Sequence, residues 1–436
     1  MTNKDARNGQ GPGRAAQTTL SGRGPGRRTV LKYGAAAAAT SLIATPSVVR
    51  AQETVKVGIV YPISGDFARF GDSVTKATVM GFDRVNAAGG IASMGGAMIE
   101  PVIVDIRSDA NITRTETERL INDEPVAALT GCYVSGLSLI ASEVAERAGV
   151  SFVTGSISDQ LTARGLRHLF QVSPKASMFG RAQVEAATTL REMGGNGAGN
   201  RVAIVFEDTD YGTSTSAGLR DTAEALGFEI ALFESYPFDI PDAGPLVTSI
   251  ARSGADFLFP VSYLQDAILI IETMANRNVN TSIIGGGAGY LVPEFQDGLG
   301  PRSDLTFSVG SWNWDVSHAQ PHGISEAYAE LTGEPFIHEH AGEGYCMARL
   351  IADALERAGS ADRDAVRDAL AATDLDPPHP AAIMPGGKLS FDETGWNHNV
   401  HPVVVQWQDG KPRTVFPVED ASTEPVWPVP DWSDRA

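Results

Sequence analysis

Cysteine is nearly absent from this chain: Cys132 and Cys346 are the only two in 436 residues. Neither has a local cluster of His or Cys partners, so they make no zinc site. An exported chain could pair them, yet nothing in the sequence brings them together, and two buried free thiols are the expectation. Positive charge is also scarce, with 34 Lys and Arg against 53 Asp and Glu. Eight of those cations and one acid fall within residues 1–51, which leaves 26 against 52 in the remainder, a formal −26. Such a surface repels nucleic acid and anionic lipid, and neither is expected as a partner.

The few cations are concentrated in a leader. "GRRTVLKYGAAAAATSLIATPSVVRAQ" (26–52) has a basic start, an apolar centre and a small-residue end, the three parts of an export signal. Arg27-Arg28 followed by Thr29, Val30, Leu31 and Lys32 resembles the bacterial twin-arginine signal. The apolar part, about Tyr33 to Ala44, is mostly alanine and falls short of the roughly 20 residues of a membrane-spanning helix. Val49-Arg50-Ala51 places cleavage after Ala51, so the mature chain is expected in the periplasm, delivered by the twin-arginine machinery.

Catalytic signatures are missing where they would be expected. The first strand-to-helix turn, "SGDFARFGDS", matches neither GxGxxG nor GxxxxGK[ST] and has no lysine to reach a phosphate. There is no G-x-S-x-G elbow. The best candidate for metal or base chemistry is "FIHEHAGEGY" (336–345). His338 and His340 are two apart, though, and point to opposite sides of a strand or helix. No metal, no cofactor and no catalytic residue are expected.

What is present is alternation. "VKVGIVYPI" (55–63), "MIEPVIVDI" (98–106), "VAALTG" (126–131) and "VSFVTG" (150–155) read as buried strands separated by helical patterns. A second series starts near Ser173 with strands at 201–208, 229–236, 256–263 and 282–287. Further on come a strand at 305–312, helices at about 321–332, 341–358 and 361–372, and a hairpin turned by Asp409-Gly410. The fold expected is α/β, two mainly parallel sheets each covered by helices on both faces. Ligands of such sheets sit beyond the carboxyl ends of the strands. Those ends read "YPISGDFARFG", "TGCYVSG", "TGSISD", "EDTDYGTS", "VSYLQD" and "GGGAGY", rich in Ser, Thr and Gly with an aromatic in most. Hydroxyls and helix N-termini of this kind suit a small polar ligand, a carboxylate in particular.

"VKVGIVYPISGDFARFGD", "NAAGGI", "GVSFVTGSISDQLT", "DTDYG" and "GKLSFDETGWNHNVHPVVVQWQDGK", in that order, resemble the periplasmic solute-binding proteins of ABC importers. The branch is the one for leucine, isoleucine and valine, with its relatives for amides and aromatic acids. The resemblance implies a two-lobed clamshell with three crossovers: lobe one 52–172 plus 310–380, lobe two 173–309 plus 381–436. It implies a monomer that captures a small amino acid, amide or other carboxylate, aromatic ones included, and delivers it to ABC permease subunits. A periplasmic sensor that reports occupancy to a membrane receptor or regulator is the alternative. The family's carboxylate-binding serine falls on Ser135, flanked by Tyr133, and the next binding loop on Ser156, Ile157 and Ser158. Phe70 matches an aromatic that covers the ligand, Tyr211 the tyrosine of a Tyr-Gly turn, Tyr263 the loop after it, Gly287 the loop after the strand at 282–287, and His340 an aromatic at a helix start. Trp312 and Trp314 are candidates for the pocket wall. One departure matters. Where amino-acid binders carry a carboxylate for the ligand's ammonium, this chain has Gly285, Gly286, Gly287, Ala288 and Gly289. Either Asp210, Glu294 or Glu343 supplies the charge or the ligand has no ammonium; the reading favours a carboxylate or amide over leucine.

Overall fold

The computed structural model describes residues 54–194 and 199–435. The expected leader and its expected cleavage point lie outside them. The first series gives β1 (Thr54–Tyr61), α1 (Ala68–Ala87), β2 (Met98–Asp105), α2 (Ala110–Asp123), β3 (Val126–Gly131), α3 (Ser135–Ala148), β4 (Ser151–Thr154), α4 (Gln160–Ala163) and β5 (Leu169–Gln171). The second gives α5 (Ala176–Met193), β6 (Arg201–Glu207), α6 (Asp210–Ala225), β7 (Glu229–Tyr236), α7 (Gly244–Ser253), β8 (Phe257–Val261), α8 (Leu264–Asn276), β9 (Ser282–Gly285), α9 (Pro293–Leu299) and β10 (Phe307–Gly310). The rest comprises α10 (Ile324–Thr332), α11 (Glu339–Ala358), α12 (Arg363–Ala371), the two-residue strands β11 (Asp374–Leu375) and β12 (Leu389–Ser390), and the hairpin β13 (Val403–Gln408) and β14 (Lys411–Phe416).

These strands form two large sheets, ordered β2-β1-β3-β4-β5 and β14-β13-β10-β9-β8-β6-β7. The first is parallel throughout. The second is parallel from β7 to β10 and antiparallel at β13 and β14. In both, the first strand of the series has its second on one side and its third on the other. The helices therefore leave in opposite directions and open a crevice at the strands' carboxyl ends. Side-chain alternation covers each sheet on both faces. Val55, Val57, Ile59 and Tyr61 of β1 face a core shared with α1 and α11, whereas Val60 faces one shared with α2 and α3. In the second sheet Ala203 and Val205 face the α7–α8 side, and Val202, Ile204 and Phe206 the α5–α6 side. The result is the two-lobed α/β clamshell.

The chain crosses between sheets at Ser311. Gly310 ends β10 in the second sheet, while the next indole, Trp312, is fully buried in the first sheet's core. Trp312 donates to the Ile383 carbonyl at 3.0 Å and leaves no room for a side chain at Gly342, where a Cβ would lie 2.4 Å from its ring. It is a core residue and does not wall the cleft. Trp314, half-buried, donates to the Pro412 carbonyl at 2.9 Å. Residues 381–400, expected with the second lobe, pack with the first. Ala381, Ile383, Met384, Leu389 and Val400 belong to its core, and Gln171 at the end of β5 bridges Trp396. Both cysteines are buried free thiols.

Trp312→Ala should destabilise by about 3–5 kcal/mol, the range for emptying a buried aromatic site. Chemical denaturation checks it; a loss no larger than that of an exposed residue would contradict the core assignment.

Candidate ligand-binding site

The carboxyl ends of the two sheets face a common cavity. From the first sheet come Tyr61 at the end of β1, Tyr133 and Ser135 after β3, and Gly155, Ser156 and Ile157 after β4. From the second come Tyr211 after β6, Tyr263 after β8 and Ala288 after β9, with Phe179 of α5. Glu339, His340, Glu343 and Met347 of α11 and Val74 of α1 complete the wall. The cavity is small, which suits a small ligand.

Most of the residues carried over by resemblance meet here: Tyr133, Ser135, Ser156, Ile157, Tyr211, Tyr263 and His340. Three lie off the wall. Phe70 stands behind it, stacked on Tyr133 with ring centroids 4.7 Å apart. The Ser158 amide donates to Ser135 Oγ at 3.3 Å. The Gly287 amide donates to Ser308 Oγ at 3.2 Å, leaving its neighbour Ala288 on the surface.

Local chain geometry presents these groups. Ser135 opens α3, so its amide and the next ones are free of helical partners and carry the positive end of the helix dipole. The corresponding end of α6 is already occupied: Glu207 accepts from the Gly212 amide at 2.7 Å and the Thr209 amide at 2.7 Å. The α3 end is thus the better place for an anion. Tyr133 is held at φ 76°, a left-handed conformation that costs a non-glycine residue energy and recurs at ligand sites. Ser156 Oγ contacts Ser138 Oγ at 2.6 Å and donates to the Tyr133 carbonyl at 3.0 Å, bracing the two binding loops against each other. On the other wall the Tyr211 hydroxyl donates to the Gly286 carbonyl at 2.6 Å.

The acidic end of the cavity is built by α11 and was only partly legible. The helix begins at Glu339, so Glu339 and Glu343 lie four apart on one face with His340 between them. Ser311 fixes both carboxyls: its Oγ meets Glu339 Oε1 at 2.8 Å and also contacts Glu343 Oε1, and its amide donates to Glu339 Oε1. His340 Nδ1 lies 3.4 Å from Glu343 Oε2, and Nε2 lies 3.8 Å from Glu339 Oε2. His338 takes no part in the cavity; its Nε2 is 2.8 Å from Ser73 Oγ. Of the acids suggested in place of the missing one, Glu343 reaches the cavity, Asp210 is not on its wall, and Glu294 pairs with Arg69. Glu339, His340 and Glu343 are also the group with metal-ligand spacing among the described residues, their donor atoms within 4.8 Å of one another.

Charge at this end follows from burial. Desolvation pushes the Glu339 carboxyl up to about 7, opposed by the His340 charge and reinforced by Glu343. Burial alone would lower His340, but Glu339, Glu343 and the Ala288 carbonyl together outweigh it and raise the imidazole. Three buried polar atoms of the wall, Tyr133 Oη, Glu339 Oε2 and His340 Nε2, have no hydrogen-bond partner in the protein. A cavity with paired walls and unpaired inward atoms is a binding site in search of complementary polar groups.

Two lobes, facing switch points and a small polar cavity between them define a solute-binding clamshell. The chain belongs to the Periplasmic binding protein family, which matches residues 54–411. It is 30% identical over 385 residues to the Leu/Ile/Val-binding protein homolog 7 of Brucella suis biovar 1 (strain 1330), covering 86% of this chain and 94% of that protein. Among solved structures it resembles the branched-chain amino acid transporter substrate-binding protein LivJ of Streptococcus pneumoniae in complex with isoleucine, with a TM-score of 0.71 at 23% identity, covering 84% of this chain and all of that one. It also resembles an ABC transporter solute-binding protein of R. palustris in complex with benzoate, with a TM-score of 0.70 at 18% identity, covering 85% and 98%. This is a family of solute-binding proteins, and membership implies an extracytoplasmic location.

A raised folded-state pKa contributes stability that is present at low pH and lost as pH rises through it. Glu339 and His340 both have the raised sign, so Tm should fall from about pH 4.5 to about 7 through Glu339, and His340 should continue the fall above its ordinary value of 6.5. Glu339→Gln should flatten that fall. Equal slopes in the two proteins would remove Glu339 as a titrating group there.

Proposed function

We propose that the chain is the ligand-capturing subunit of an ABC importer for a small carboxylate or amide. It is exported by the twin-arginine route, cleaved after Ala51, works as a periplasmic monomer without catalysis, and hands its ligand to permease subunits. The observation that carries this reading is the cavity itself: hydroxyls and a free helix N-terminus from one sheet face tyrosines from the other, at the switch points of both.

In this reading the ligand's carboxylate or amide oxygen meets Ser135 Oγ and the amides at the start of α3, while Ser156, whose hydroxyl donates to the Tyr133 carbonyl, lines the wall beside them. Its body lies among Tyr133, Tyr211, Tyr263 and Phe179. Because those groups come from both lobes, the ligand contacts the closed arrangement more fully than the open one and shifts the population toward it. The lobes are 54–172 plus 311–400 and 173–310 plus 401–435, the boundaries that the core memberships of Trp312 and Val400 support. The permease then reads the closed shape. An amide-binding and an aromatic-acid-binding protein would share this layout, and the isoleucine and benzoate bound in the related structures, equal in non-hydrogen atoms, suggest the size of the ligand.

Isothermal titration with small carboxylates and amides tests the reading. Ser135→Ala should weaken binding by about tenfold or more, the worth of a hydrogen bond to a charged group, while leaving Tm within a few degrees. Tyr211→Ala should weaken it from the opposite wall. Unchanged affinity in both variants would place the ligand elsewhere.

A further inference from the structure

The start of α1 reaches from the first lobe across to the second. Phe67, just ahead of the helix, sets its ring 4.9 Å from Tyr263 and 5.4 Å from Phe238, both of the second lobe. Phe70, within the first turn, is buried in a core cluster otherwise built mainly by the second lobe. Arg69 lies between these two rings in sequence and is absent from the wall of the ligand cavity. Its guanidinium pairs with Glu294, at the start of α9 in the second lobe. The same Nη2 donates to Glu334 Oε1 of the first lobe at 2.5 Å. Among the described residues, Arg69–Glu294 is the one ion pair that joins the two lobes.

We propose that Arg69 is a clasp across the mouth of the cleft: its pair with Glu294 holds the lobes shut and sets how long a bound ligand stays. This rests on the cavity being the ligand site. The asymmetry of the two partners suits that task. Opening the lobes separates Arg69 from Glu294 but leaves it Glu334, which belongs to its own lobe, so the guanidinium is never stripped of a carboxylate. Glu294 bears the change. Burial raises its carboxyl above the ordinary value against the pull of Arg69, and release to water removes that penalty as the pair is lost. A fully buried pair would trap the ligand. With the Arg69 side chain 51% exposed and that of Glu294 25%, the pair is worth only a small factor, enough to slow release without preventing it. A hollow lined by Asp66, Arg69, Phe238 and Asp239 opens beside it, so dissolved salt can reach the charges.

The test compares wild type with Arg69→Met, Glu294→Gln and the double variant by stopped-flow kinetics. The probe is whichever of L-leucine, L-phenylalanine, benzoate and benzamide binds wild type most tightly. Each single variant should release it about two- to fivefold faster, the worth of a half-exposed ion pair, with the association rate unchanged. The double variant should release it no faster than the singles, because each change removes the same pair. Raising salt from about 0.05 M to about 0.5 M should speed release from wild type alone. An unchanged release rate, additive effects in the double variant, or a change confined to association overturns the clasp. Closure is also read without ligand, from the distance between spin labels at Lys76→Cys and Ser235→Cys, exposed sites on the two lobes, the native thiols being buried. Glu294→Gln should shift that distribution toward longer distances. If none of the four probes binds, the carboxylate or amide reading of the cavity fails, and the label distances alone decide the clasp: equal distributions with and without Glu294→Gln overturn it.

Discussion

The hydrogen bonds of Ser311 to Glu339 and Glu343 are the constraint on which the cleft depends. Ser311 is the first residue past β10, the point where the chain leaves the second sheet, and both glutamates sit on the first turn and a half of α11, which packs against the first. One hydroxyl and one amide therefore tie a crossover between lobes to the helix that forms the floor of the cavity. Buried carboxyls without such partners would cost several kcal/mol each. Two forces on Glu339 oppose each other: its place at the N-terminus of α11 favours the charged form, while burial disfavours it. A helix terminus is worth roughly 0.3–1 kcal/mol and the desolvation of a buried ion several, so burial wins and the carboxyl titrates near neutrality.

Aromatic packing carries that arrangement outward. Tyr133 stands edge-on to His340, ring centroids 4.8 Å apart, and is stacked from behind by Phe70. Tyr263 lies 4.9 Å from Phe67 and 5.4 Å from Tyr211, so rings from both lobes make one continuous wall. Edge-to-face and offset contacts of this kind fix ring orientation as well as burying area. The hydroxyl of Tyr133 is thereby aimed inward without being tied down, and strain at its φ of 76° is borne by the packing around it.

The βαβ series was legible because buried parallel strands and amphipathic helices differ in period, and both sheets follow from that pattern alone. The return crossing was not. Residues 381–400 contain only the two-residue strand β12, so no periodicity marks which lobe they join; the bridge from Gln171 to Trp396, more than two hundred residues apart, decides it. At the cavity, loops recognised by Ser, Thr and Gly content at strand ends brought Ser135, Ser156, Tyr211 and Tyr263 to one place. Glu339 was missing from the acids offered for a ligand's ammonium for a geometric reason. Starting the helix at about residue 341 leaves Glu339 and His340 in a loop, whereas the actual start at Glu339 puts Glu339 and Glu343 one turn apart. The i, i+4 acids around a histidine were the available signal. Ser311 gave none, because its partners lie about thirty residues on and meet it only in the folded chain.

The acidity of the chain and the chemistry of its cavity pull in opposite directions, and distance resolves the conflict. A formal −26 over residues 52–436 repels small anions. At about 0.15 M salt that field fades within about 8 Å, so it opposes a carboxylate only over the last steps of its approach to the surface. Inside, the proposed contacts, the first turn of α3, the Ser135 hydroxyl and the His340 ring, would act at hydrogen-bonding distance in a largely enclosed site, where each is worth more than in bulk. Selectivity is therefore written by the few groups that touch the ligand, and the net charge of the rest bears on solubility and encounter. A neutral amide would pay nothing for the approach and a carboxylate would gain more on arrival. The balance between the two classes is set by how far the α3 terminus and His340 outweigh the surface, a contest decided within one helical turn of Ser135.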